Sequence, residues 1–320
     1  MNNTKEIKMR KKDGFIRYFL KNKTFFFMLL PGVIMLIINN YIPMFGIIIA
    51  FKRYRFFGSF ISSVIKSDWI GLDNFKFFFS TPYALEITRN TLLYNIVFIV
   101  LDIVVPITLA IMLNEARSRI ASKLTQSIVF IPFFLSWIVV GYLAFALFSM
   151  DNGFINRNLL SHFGMNPIRW YSEPVYWPFI LICFHLWKYT GYNVVVYIAA
   201  ISGIDSTLYE SSAIDGATKM QQARFITLPM LKSIIIILTL LAVGRIFNAD
   251  FGLFYNVTKN SGALSTTTQV IDTFVFNTLM NSNNISLASA SGAYQSIVGC
   301  ITVVAANFIV KKVEKEMALF

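Results

Sequence analysis

Six apolar runs, separated by polar stretches of unequal length, organise the chain. They cover about Phe25 to Phe51, Asn90 to Leu113, Ile128 to Phe148, Val175 to Ile201, Leu231 to Phe251 and Ile285 to Val310. Each is near or above the ~20 residues an α-helix needs to cross ~30 Å of hydrocarbon. The pattern predicts an all-α integral membrane protein with about six transmembrane helices. Asn39, Asn40 and Pro43 interrupt the first run, so a kink or break is expected near Pro43. Residues 52–88 mix aromatics with charges, which suits an interfacial or extracytoplasmic segment with room for an extra interfacial helix. Residues 151–175 are rich in Gly, Asn and Pro and read as turns, and 256–284 are polar and rich in Thr and Asn.

The polar stretch 203–232, between the fourth and fifth runs, has more internal order than a connection needs. It reads GIDSTLYESSAIDGATKMQQARFITLPMLK. Asp205, Ser206 or Thr207 can cap a helix running to about Ile214, and Thr207-x-x-Glu210 fits the capping-box pattern. Asp215-Gly216 supplies a turn, and a second helix can begin near Ala217. Leu208, Ile214, Ala217, Met220 and Phe225 give this helix–turn–helix apolar positions, some of them available to a partner. Pro229 falls where the next membrane helix would start, a position that tolerates a missing N–H.

Composition supports a membrane protein. Hydrophobic residues make up 56% and charged residues 14%, against about 45–50% and about 25% in soluble domains. The net charge of +12 does not indicate nucleic acid, because the basic residues gather at the edges of apolar runs, as topology signals do. The tails and loops on the N-terminal side carry about twice the Lys and Arg of the other side, which places both termini in the cytoplasm. The chain then divides into a basic tail (1–23), a membrane domain (24–312) and a charged tail (313–320). Cys183 and Cys300 lie inside apolar runs, with no spacing for a disulfide framework or a metal site. No cleavable signal peptide is visible, and no GxxxxGK[ST] phosphate loop occurs.

The spacing from Glu210 through Ser211, Ser212, Asp215 and Gly216 to Ile226, Leu228 and Pro229 resembles the EAA signature of bacterial ABC-importer permeases. LYESSAIDGA and FITLP resemble its carbohydrate-uptake branch. The departure is Ser211-Ser212, where that family usually has two alanines; both are small, so close helix docking is retained. NYIPMFGIIIAF (40–51), WIGLDNF (69–75), LNEARS (113–118), IPFFLSWIVV (131–140), DNGFIN (151–156) and YIAAISGID (197–205) resemble permeases serving oligosaccharides and polysaccharide fragments. The resemblance implies a subunit in the bacterial cytoplasmic membrane, without catalytic residues or cofactors of its own. It implies a second permease subunit in a heterodimer, two ATPase subunits holding ATP and magnesium, an extracytoplasmic solute-binding protein and a saccharide substrate. The loop 203–232 would be the coupling helix that docks on an ATPase, with Glu210 meeting a basic group and Gly216 permitting the turn. Capping alone also accounts for Glu210, and an ordinary turn for Asp215-Gly216.

Charges within spans mark a pathway or a paired interior site. Trp187, Lys188, Tyr189, Tyr192 and Asn193 in the fourth run combine rings with hydrogen-bonding groups, a mix suited to a sugar. Arg245, Asn248 and Asp250 form a second cluster, in which Asp250 could neutralise Arg245. Asp102 has the same ambiguity between pathway and pairing. Two readings from other classes compete. A stand-alone ion- or proton-coupled transporter needs buried acid and histidine relays, and only His162 and His185 exist. A membrane enzyme needs clustered carboxylates, whereas Asp151 and Glu173 stand apart.

Overall fold

A computed structural model describes residues 22–116 and 118–313. The basic N-terminal tail and the charged C-terminal tail expected from the sequence lie almost wholly outside the described residues. Helix α1 (Lys23–Phe51) is the first span. A two-residue strand β1 (Lys52–Arg53), helix α2 (Phe60–Lys66), strand β2 (Asp68–Trp69) and helix α3 (Asp73–Ser80) follow. Helix α4 (Pro82–Asn114) leads to the bent pair α5 (Arg119–Phe130) and α6 (Trp137–Phe148), then to α7 (Trp177–Ser202). Beyond it come α8 (Ser206–Ile214), α9 (Lys219–Gln222), α10 (Lys232–Val243), α11 (Ile271–Met280) and α12 (Ile285–Val313).

Four helical stretches are long and apolar enough to cross a membrane: Lys23–Phe51, Pro82–Asn114, Pro174–Ser202 and Ile285–Lys312. The count rises to six if each of two bent helix pairs is one span. The expected architecture holds, with physical differences in five places. Near Pro43, α1 does not break. It widens over Ile37–Tyr41 and tightens from Phe45, and Asn39 donates its amide to the Met35 carbonyl at 3.0 Å. A wide turn just before a proline moves the carbonyl that its ring would strike.

The second span starts at Pro82 rather than Asn90, because Pro82 sits at the first helical position, which tolerates its missing N–H. Its 33 residues reach about 50 Å at ~1.5 Å per residue. The third span is not one helix over 128–148. A 99° bend separates Arg119–Phe134 from Trp137–Phe148, where Pro132 lacks a donor and the Ser136 hydroxyl caps α6. The fifth span is also interrupted: α10 ends at Val243, and turns over Gly244–Phe247 lead to an irregular segment up to Asp250. The stretch 151–175 is more helical than its composition suggests, with a wide turn at Ile155–Leu160 organised around buried Asn156.

Helices α4 and α7 form the centre of the bundle. One core cluster joins Tyr94, Phe98, Trp177, Leu181 and Phe184 to Val140, Ala144 and Phe254. A second, nearer the loop 203–232, joins Ile107 and Ala110 of α4 to Val194, Tyr197 and Ile201 of α7 and to Leu231. Gly191 lets α5 cross α7 closely, since a Cβ there would collide with the Val129 carbonyl.

Candidate functional site: an ordered loop and a polar line in the bundle

The loop 203–232 folds as two short helices with a fixed turn. Asp205 starts α8 by accepting a hydrogen bond from the Thr207 N–H at 3.0 Å, which holds its carboxyl below the ordinary aspartate range. With Asp205 as the cap, the position that could close a box is Leu208, so Glu210 stands two residues too far along and the expected box with Thr207 does not form. That box forms instead at Thr218 and Gln221, where each side chain bonds the other residue's backbone N–H. Glu210 is exposed, and its side chain makes no hydrogen bond or ion pair among the described residues.

The turn behaves as its sequence implies. Gly216 has φ +83°, its N–H reaches the Ala213 carbonyl, and the Ala217 N–H reaches Ser212. This pair of bonds closes a helix on a left-handed residue, a conformation in which glycine carries no Cβ penalty.

The two helices are clamped by residues that sequence reasoning passed over. Gln222 is buried and donates to the Tyr209 carbonyl at 3.0 Å and the Ser212 hydroxyl at 2.8 Å. The Tyr209 and Thr227 hydroxyls lie 2.9 Å apart. Ser212 is thus half-buried against the second helix, while Ser211, Asp215 and Gly216 face outwards. Ile226 is half-buried and Leu228 exposed. Pro229 lies just before a 58° bend into α10 and just after a wide turn at Ala223–Thr227, the arrangement also seen at Pro43. Two fastenings tie the loop to the bundle. Leu231 is wholly buried in the core shared by α4 and α7, and Lys219 pairs with Glu115, just beyond α4, at 3.0 Å. Outward from this frame stand Ile214, 87% exposed, with Met220 and Phe225.

The second candidate site runs along α7. His185, Lys188, Tyr189 and Tyr192 are spaced three and four residues apart and so share one helical face. Lys188 is buried, contrary to its candidacy for an open path. Its ammonium donates to the carbonyls of Pro132, Phe133 and Leu135 and lies over the Trp137 ring. It therefore fills the carbonyl-rich gap that the bend between α5 and α6 leaves, satisfying groups that are costly to bury unpaired.

Asp250 does not neutralise Arg245. Its Oδ2 accepts from the Tyr189 hydroxyl at 2.7 Å and from the Trp137 indole at 2.9 Å. Arg245 is exposed and Asn248 is exposed beside it. Tyr192 is partly exposed and stacks on Phe133 with centroids 4.8 Å apart, while Asn193 is half-buried and Trp187 partly exposed. Asp102 of α4 meets His185 Nε2 at 3.0 Å, and Phe98 stacks flat on the imidazole at 3.7 Å. Asp102 is thus resolved towards pairing. Tyr192, Asn193, Arg245 and Asn248 keep polar atoms on accessible surface, whereas Lys188, Asp250 and Tyr189 are engaged within the protein.

A multi-spanning all-α bundle, carrying a stiff, clamped two-helix loop between its fourth and fifth spans, defines a membrane-transport subunit. The family model for the inner-membrane component of binding-protein-dependent transport systems matches residues 103–315, and the chain belongs to that family. It is 32% identical to protein LplB of Bacillus subtilis over 92% of this chain and 91% of the relative. It is also 32% identical to the polygalacturonan/rhamnogalacturonan transport system permease protein YteP of Bacillus subtilis, over 97% and 94% of the two chains. Among solved structures, a chain of a bacterial ABC transporter that imports the acidic polysaccharide alginate superposes with a TM-score of 0.84. That chain is 29% identical, with 93% of this chain and 98% of the other covered. The same transporter in complex with an alginate pentasaccharide-bound periplasmic protein matches with a TM-score of 0.84 over 95% and 99%.

Proposed function

We propose that this chain is one permease subunit of an ATP-driven importer that moves oligosaccharides or polysaccharide fragments inward across the bacterial cytoplasmic membrane. The observation that carries the proposal is the loop 203–232: two clamped helices that leave Glu210, Ile214 and Met220 bare while Leu231 and Lys219 fasten them to the bundle. Such a rigid projection suits capture by a separate motor. Two ATPase subunits, holding ATP and magnesium, would grip it; a second permease would complete the pore, and an extracytoplasmic binding protein would deliver the saccharide. The N- and C-termini and the loop lie on the cytoplasmic side in this reading, and ATP hydrolysis resides on other chains.

Closure of the ATPases would move α8 and α9 as one body, since Gln222 and Tyr209 join them. The Glu115–Lys219 pair would pass the movement to α4, and Leu231 would pass it to the core between α4 and α7. Those two helices carry the polar line, so motion at the loop reaches the bundle interior through packed side chains. Tyr192, Asn193, Arg245 and Asn248 would meet the saccharide, rings against pyranose faces and amides against hydroxyls. The guanidinium of Arg245 favours uronate-containing fragments, in keeping with the acidic polysaccharide named for the alginate transporter.

The part-buried Asp102–His185 pair is the kind of feature a proton-coupled transporter would use, but it is a single pair among the described residues, and family membership favours the ATP-driven reading. Glu210→Ala and Gly216→Pro test the proposal in the assembled complex. Both should insert and assemble yet lose uptake of polygalacturonate or alginate oligosaccharides, because proline cannot adopt the φ of +83° at Gly216. Wild-type uptake by both variants would remove the coupling role. Gradient-driven uptake by the chain alone would establish the alternative.

A further inference from the structure

Segment 53–72, joining the first two spans, is built inside out. Along α2 and its two flanking caps, Ser59, Ser63 and Ser67 follow one another at intervals of four and so form a stripe. Ser63 and Ser67 are fully buried against the protein, whereas Phe60, Ile61 and Ile65 project outwards, with Ile61 71% and Ile65 70% exposed. Phe56, Phe57, Trp69 and Leu72 extend the apolar surface around the segment. A short helix facing water would place its serines outside and its isoleucines inside.

The carbonyls at the end of α2 are also bonded within the protein. Lys52 donates its ammonium to the carbonyls of Val64 and Ile65 at 2.6 and 3.2 Å, and Ser67 gives its hydroxyl to Ser63 at 2.6 Å. The Arg55 and Phe57 N–H groups are taken by the hydroxyls of Ser67 and Ser63 at 2.9 and 2.8 Å. Helix-end carbonyls in soluble proteins are often left to solvent; internal satisfaction is what a low-water environment demands. The apolar surface runs on from α1, because Trp69 stacks flat on Phe51, its last residue, with centroids 5.8 Å apart. Arg53, Arg55 and Lys66 are exposed among these aromatics, with Arg55 paired to the exposed Asp68 at 3.8 Å, and aromatic rings mixed with cations mark the membrane–water boundary.

We propose that residues 53–72 form a lipid-embedded cap at the end of the first span. Phe56, Phe60, Ile61, Ile65 and Trp69 enter the boundary between headgroups and acyl chains, and Arg53 and Lys66 meet lipid phosphates. The apolar face would sit ~5–10 Å deep, as amphipathic interfacial helices do. This cap adjoins the Pro82 end of α4, whereas the loop 203–232 is tied to the Asn114 end, so the anchor grips the leaflet opposite that loop. The inference does not depend on what is transported.

The test labels single cysteines, Ile61→Cys and Ile65→Cys, in a Cys183→Ala/Cys300→Ala background with an environment-sensitive fluorophore. The full complex is reconstituted in vesicles of phosphatidylcholine and phosphatidylglycerol. Lys76→Cys, at an exposed position of α3, serves as the reference, and Phe56→Cys replaces either isoleucine variant that fails to assemble. The expected result is a blue-shifted emission, strongly quenched by bromines placed high on the acyl chains and scarcely by aqueous iodide, with the reverse at Lys76→Cys. Iodide quenching at the cap would overturn the proposal, because the surface would then face water. Resistance to both quenchers would overturn it equally, because a partner protein would then cover the cap.

Discussion

Lys219, the first residue of α9, lies 3.0 Å from the carboxylate of Glu115, which closes the far end of α4. The contact joins a loop between the fourth and fifth spans to the end of the second span, so a load on the loop has a direct route to the centre of the bundle. With Lys219 mostly exposed, the pair contributes ~0–1 kcal/mol to stability. Its value lies in where it connects.

Glu115→Lys places two ammonium groups at this junction. It should lower uptake per ATP hydrolysed in proteoliposomes with little change in thermal stability. The exchange Glu115→Lys with Lys219→Glu should recover most of the loss. Equal uptake by the single and double variants would show that the pair transmits nothing.

Gln222 is the clamp between the two loop helices. Gln222→Ala removes the amide bonds to the Tyr209 carbonyl, which keeps the Ser212 hydroxyl as a donor, and to the Ser212 hydroxyl, and costs about 1 kcal/mol locally. Limited proteolysis of the membrane-inserted protein should then cut between Asp215 and Thr218 faster than in the parent chain. An unchanged cutting rate would mean that Tyr209 and Thr227 suffice.

Lys188 distinguishes a structural role from a pathway role. Lys188→Met removes the ammonium from the Phe133 and Leu135 carbonyls at the 99° bend and leaves the Pro132 carbonyl only its bond from the Leu135 N–H. Thermal inactivation of the purified complex should shift to lower temperature by several degrees, consistent with the ~1–3 kcal/mol cost of unmet buried groups. A variant of unaltered stability that binds saccharide more weakly would return Lys188 to the pathway.

Acid should loosen the start of α8. The Asp205 carboxylate accepts the Thr207 N–H, and this bond depresses its pKa. A depressed folded-state pKa gives stability that is complete above the unfolded-state value and is lost as pH falls through the folded one. Amide exchange at Thr207, corrected for intrinsic rates, should therefore rise on acidification below the ordinary aspartate range. Asp205→Asn, which retains an accepting oxygen, should abolish that pH dependence.

Much of the span pattern was legible because the first, second, fourth and sixth spans are nearly uninterrupted apolar helices. The third and fifth were read as continuous because hydropathy is blind to a bend. Pro132 followed by Ser136 carried the signal for the 99° break: a residue without an N–H, then a helix cap. The turn at Asp215-Gly216 was readable from local chemistry, whereas the N-terminal cap at Asp205 was one of three candidates beside Ser206 and Thr207. The capping box was placed one helix too early, since Thr207-x-x-Glu210 and Thr218-x-x-Gln221 obey the same rule. The partners of Lys188, Asp250 and Lys219 were not readable at all. Each lies dozens of residues or more away along the chain, and only packing of α4, α6 and α7 brings them together.

The measurement that tests the central claim most directly is photo-crosslinking from Ile214, which is 87% exposed at the tip of α8. With a photoreactive residue in its place, the assembled complex should yield an adduct to a chain carrying a GxxxxGK[ST] phosphate loop. The adduct yield should change when ATP is added with vanadate. A complex that co-purifies intact and gives no such adduct, or gives one only to lipid, would contradict the claim that a motor grips this loop.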